Sequence, residues 1–125
     1  MITGICLGDI AIDSADANKL RAFYAELLGW ERCELWDCPA VKSRDGIVLL
    51  FMEEEDYVRP VWPEQTAKQQ KQMHFNFQVD DLPAAVAQAE AIGAVKAGSQ
   101  YGGEHFVTML DPDGHPFCLC VKGND

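Results

Sequence analysis

Apolar positions in this chain follow two different periods, and they do so in the same order twice. In the first half, Asp9-Ile10-Ala11-Ile12 alternates as a strand does. Leu20, Phe23, Tyr24, Leu27 and Leu28 then fall on one helical stripe. Asp16 precedes that stripe as an N-cap, and Gly29 follows it as the left-handed residue that ends a helix. In the second half His74-Phe75-Asn76-Phe77-Gln78-Val79 alternates, and Leu82, Val86, Ala89 and Ile92 form a narrower stripe. Asp81 caps that helix, Pro83 is tolerated in its first turn, and Gly93 stops it.

Each half continues into three more strands. The first half opens with a strand over Cys6–Asp13 and adds Trp30–Asp37, Ala40–Ser43 and Ile47–Glu53. The last of these is apolar on both faces, which predicts a central position. The second half opens with Met73–Val79 and adds Ala94–Ala97, His105–Leu110 and Pro116–Val121. Turns on Asp45-Gly46 and on Asp111-Pro112-Asp113-Gly114 close the final hairpins. The order is βαβββ twice. Between the halves, residues 54–72 carry Pro60, Pro63 and an acidic cluster, and read as a connector. The Val61-Trp62 pair is unusual for such a segment.

Strand alternation separates the faces. Phe75, Phe77 and Val79 share one face, suited to packing against helices, and His74, Asn76 and Gln78 share the other. On the last strand Phe117, Leu119 and Val121 oppose Cys118 and Cys120. A sheet curled around the polar and small-residue faces would make a cup, with Trp36, Phe51, Trp62, Tyr101 and His105 at its rim. A plain solvent-facing sheet is the competing reading.

Composition narrows the partners. With 125 residues the chain is expected to form a single domain over 1–125, with modules at about 4–53 and 73–122 and the connector at about 54–72. A net charge of −10 repels nucleic-acid backbones and anionic lipid, so neither is expected as a partner. No basic-then-apolar leader follows Met1, and the five cysteines have no disulfide-scaffold spacing. A cytoplasmic protein with reduced thiols is expected.

The paired βαβββ units, the Leu20-x-x-Phe23-Tyr24…Leu27-Leu28-Gly29 helix and the Asp111-Pro112-Asp113-Gly114-His115-Pro116-Phe117 turn together resemble the vicinal oxygen chelate superfamily. The Asp56-Tyr57…Pro60-x-Trp62-Pro63 connector and the Met73-His74-Phe75 strand start are similar to its bacterial glyoxalase-like branch. That superfamily includes lactoylglutathione lyase, extradiol dioxygenases, fosfomycin-modifying enzymes and bleomycin-sequestering proteins. The resemblance implies an α+β fold in which two βαβββ modules form a curved eight-stranded mixed sheet, commonly completed as a homodimer.

It also implies where a metal would sit. Metal-using members draw His, Glu or Gln ligands from the first and last strands of each module. Here those positions correspond to Asp9, Leu50, His74 and Cys118. Leu50 cannot ligate, and a Cys at 118 suits zinc better than octahedral magnesium or manganese. The expectation is a protein with no cofactor. Asp9, His74 and Cys118 are the candidates should a zinc or iron ion bind.

The reading this supports is a small-molecule-binding protein with an aromatic ligand in the cup. His74, Asn76, Gln78, Leu50, Met52 and Cys118 would line it, beneath a lid carrying Trp62 and Tyr101. His74 and Asp9 are the candidates for acid–base chemistry, with no catalytic residue assigned. Two alternatives stay open: a metal-dependent lyase or dioxygenase with an altered ligand set, and a structural dimer whose cup is filled.

Overall fold

A computed structural model describes residues 1–123. It divides into two compact units, Met1–Tyr57 and the part from Val58 onward. Each unit is one βαβββ module, as the duplicated pattern predicts.

The first module runs β1 (Ile10–Ser14), α1 (Ala17–Leu28), β2 (Glu31–Leu35), β3 (Cys38–Lys42) and β4 (Val48–Glu53). Its sheet has the order β1-β4-β3-β2, with β1 parallel to β4 and the other pairs antiparallel. The doubly apolar β4 is therefore an inner strand. Asp16 caps α1 by accepting from the Lys19 amide at 3.1 Å, and Gly29 ends it at φ 66°. Two further groups hold the start of α1. Ser14 Oγ accepts from the Asp16 amide, and Glu53 Oε1 accepts from the Ala17 amide. Leu20, Phe23 and Tyr24 bury the helical stripe, and the Tyr24 ring stacks on Phe51 at 5.8 Å.

Three expectations in this module need correction. The strand predicted from Cys6 begins only at Ile10, and residues 1–8 are exposed. Phe51 is fully buried against Tyr24 of α1, so it belongs to the core and not to a rim. Trp36 and Asp37 do not extend β2. They form the two-residue turn of the β2–β3 hairpin, both at positive φ (52° and 60°). A hairpin twisted in the right-handed sense needs that backbone, and here it is adopted without glycine.

The second module runs β5 (Phe75–Val79), α2 (Leu82–Ala91), β6 (Val95–Lys96), β7 (Phe106–Leu110) and β8 (Pro116–Val121). Its sheet order is β5-β8-β7-β6, the same topology with β8 in the place of β4. Asp81 caps α2 through the Ala84 amide, with Pro83 in the first turn. Gly93, at φ 112°, follows the C-cap Ile92. Phe77 contacts both Phe75 and Phe117, and Phe117 is completely buried while Phe75 and Phe77 are half-buried.

The predicted turn closes by a bond from the Gly114 amide to the Asp111 carbonyl at 2.9 Å. The buried Asp111 carboxylate accepts from the amides of Asp113 and His115 and from the His115 ring. Gly114 sits at φ 84° beneath the Arg59 side chain, whose guanidinium donates to the Pro112 carbonyl. The connector thus docks on the hairpin of its own unit. No helix among the described residues is long and apolar enough to cross a membrane.

Candidate functional site

Register places the site residues of the second module in rows. Asn76 lies beside Cys118 of β8, which lies beside Thr108 of β7. The next row is Gln78, Cys120 and Phe106. His74 immediately precedes β5 and, by alternation, shares this face. His74, Asn76 and Gln78 are all exposed, and their side chains make no hydrogen bond among the described residues.

The thiols are set deeper. Cys118 is 6% exposed, with its Sγ 3.5 Å from Thr108 Oγ1. Burial, with the neighbouring Cys118 adding to it, pushes the Cys120 thiol above its ordinary value. Thr108 is held in turn by Gln100. The Gln100 amide nitrogen donates to the carbonyls of Ala97 and Thr108, and its oxygen accepts from the Thr108 amide, each at 2.8 Å. A side chain here does the work of a strand backbone.

Gln100 also fixes the segment carrying Tyr101 and the Ser99 carbonyl that Trp62 meets. Trp62 Nε1 donates to the Ser99 carbonyl at 3.3 Å, and the Trp62 and Tyr101 rings meet edge-on at 6.0 Å. Trp62 is half-buried, and Tyr101 is 66% exposed. The Lys71 ammonium lies 5.0 Å from the Trp62 ring centroid and pairs with Glu64. Gly102, next along, is buried with its backbone against Phe106. A methyl group there would fall 2.3 Å from the Phe106 carbonyl. His105, predicted at the rim, is exposed just before β7.

In the first module Asp9 is half-buried ahead of β1, Leu50 is 2% exposed beside Ala11 and Ala40, and Met52 is half-buried beside Asp13. Of the four superfamily ligand positions, Leu50 offers no lone pair, and the Cys118 thiol is buried beside the Thr108 hydroxyl. No group of three or more His, Cys, Asp or Glu among the described residues could hold an ion.

Sequence reasoning missed Thr108, Gln100, Glu64 and Lys71. Lys71 and Glu64 lay in what read as a bland polar connector. Gln100 carried no signal, since an amide that replaces strand pairing looks like any loop glutamine.

A glyoxalase-like domain family profile matches residues 9–120. No curated protein matches the chain. Solved structures similar to it include a glyoxalase/bleomycin resistance protein/dioxygenase family enzyme from Burkholderia phytofirmans PsJN. That structure has 18% identity and a TM-score of 0.66, with 91% of this chain and 96% of the other covered. A glyoxalase-related enzyme from Fulvimarina pelagi has 17% identity and a TM-score of 0.66, covering 94% and 88%. TnmS3, an antibiotic binding protein from Streptomyces sp. CB03234, has 15% identity and a TM-score of 0.62, covering 98% and 100%. At these identities the structures speak for the fold, and the profile over nearly the whole chain speaks for descent. The chain belongs to the glyoxalase-like domain family of the vicinal oxygen chelate superfamily.

Proposed function

We propose that this protein binds a small aromatic molecule without the superfamily's metal. The ligand would lie on the β5–β8 face, against His74, Asn76, Gln78 and Cys118, covered by Trp62 and Tyr101. One observation carries the reading. Three exposed polar side chains stand in a row on one strand face with their hydrogen-bonding capacity unused. Large rings such as those of Trp62 and Tyr101 favour a flat ligand, because they lose little conformational entropy on stacking. The likeness in fold to an antibiotic binding protein supports a small-molecule ligand. Exposed Ile2, Ile5 and Leu7 support a homodimer, and five free thiols suit a reducing cytoplasm.

The test is a thermal-shift and fluorescence titration with doxorubicin and bleomycin. A bound ligand at a hundredfold excess over its Kd adds about 2.7 kcal/mol of stability. The double variant Asn76→Ala/Gln78→Ala should lose that gain while its unliganded Tm stays put. No shift with either compound would overturn the reading. So would stoichiometric zinc or iron in protein purified without chelator, if it vanished in His74→Ala.

A further inference from the structure

The connector already holds a cation against an aromatic face. The Trp62 ring meets Tyr101 edge-on, with the ring planes 78° apart and the centroids 6.0 Å apart. The Lys71 ammonium lies 5.0 Å from the Trp62 centroid, within the roughly 6 Å over which a ring face attracts a cation. Glu64 pairs with the same ammonium. The Lys71 side chain is only 17% exposed, so the cation is tucked against the ring.

Local structure holds the ring in place. A bond from the Val61 amide to the Gln69 carbonyl at 2.8 Å closes the connector loop, returning Lys71 towards Trp62. The indole is pinned by the Ser99 carbonyl, and the segment carrying Ser99 and Tyr101 is anchored by Gln100. A carboxylate and an aromatic face are thus positioned before any ligand arrives.

We infer that the corner formed by Trp62 and Glu64 recognises an alkylammonium group of the ligand, and that Lys71 occupies it in the free protein. The inference rests on the proposal that Trp62 and Tyr101 cover the ligand, and it names the ligand's charged class. A partly exposed ion pair is weakly held, so Lys71 can swing out on its flexible stem. A quaternary ammonium would replace it. Such a cation is poorly hydrated and gains more from ring faces than a primary ammonium does. The net charge of −10 draws cations towards the protein at long range.

The experiment compares choline with its neutral carbon isostere 3,3-dimethyl-1-butanol. Both are titrated by calorimetry into wild type, Lys71→Met and Lys68→Met, with the Trp62 indole N–H resonance as a local reporter. Lys71→Met keeps the apolar stem and empties the corner, and Lys68→Met removes the same charge three residues away. Lys71→Met is expected to bind choline about tenfold more tightly than wild type and to shift the Trp62 resonance. Lys68→Met should match wild type, and the isostere should bind all three equally weakly. Glu64→Gln in the Lys71→Met background should reverse most of the gain. Equal choline affinity in Lys71→Met and Lys68→Met would overturn the inference, as would equal gains for choline and the isostere. Doxorubicin N-acetylated on its sugar amine, and so without the ammonium, keeps the two readings apart when titrated in parallel. If it binds while choline fails, the corner is wrong and the sheet-face site stands. If it fails while choline behaves as expected, the reverse holds.

Discussion

Thr108 and Cys118 face one another across adjacent strands with hydroxyl and thiol 3.5 Å apart, both almost wholly removed from solvent. The pair couples β7 to β8 at the point where β8 also meets Asn76. Replacing Thr108 with Val keeps the shape and deletes the hydroxyl. Urea unfolding should show a loss of about 1 kcal/mol, the usual net worth of one hydrogen bond.

Phe117 and Trp62 separate core from site. Phe117→Ala empties a fully buried position and should cost roughly 3–5 kcal/mol. Trp62→Ala removes a half-buried ring and should cost less than about 2 kcal/mol while abolishing ligand binding. Equal destabilisation by the two would place Trp62 in the core.

Gln100 makes three bonds with strand geometry, and Ala cannot replace any of them. Gln100→Ala is expected to lower stability by about 2 kcal/mol and to release the loop that holds Trp62. Hydrogen exchange at the Thr108 amide should speed up, and doxorubicin affinity should fall alongside it.

The β2–β3 turn stores backbone strain at two non-glycine residues, Trp36 and Asp37. Asp37→Gly should raise stability by about 1 kcal/mol, because glycine enters the left-handed region without a Cβ penalty. A lowered Tm would contradict the turn geometry.

Cys120 makes stability depend on alkaline pH. Burial raises its thiol pKa in the folded protein, so over that range the folded state binds more protons than the unfolded one. Stability should therefore fall as pH rises beyond the thiol's ordinary value of 9.0. Comparing urea midpoints of wild type and Cys120→Ser between pH 8 and pH 10, on the order of one unit either side, isolates this contribution. The variant should show the shallower decline.

The modules were readable because their signals are local and redundant. Asp16 and Asp81 cap as expected, Gly29 and Gly93 turn left-handed, and the apolar stripe of α1 packs where its period directs. The Asp111–Gly114 turn was equally plain. The Trp36–Asp37 turn was not, since nothing in those side chains announces positive φ. Alternation correctly paired Asn76 with Gln78 and Cys118 with Cys120 on one face, but it could not give their depths. Burial depends on which strand is central, and β8 is inner while β5 is an edge. Phe51 was misplaced for the same reason: alternation names two sides of a strand without saying which one a helix will cover. The Lys71–Trp62 contact joins residues across a closed loop, and no periodicity reports that.

Leu50 leaves the inner strand of the first module little tolerance for charge. It occupies a site 2% exposed, flanked by Ala11 and Ala40. A glutamate substituted there would be drawn out of water between two alanines, and a buried unpaired carboxylate costs several kcal/mol. A charge at this position would therefore weaken the module unless its neighbours changed with it.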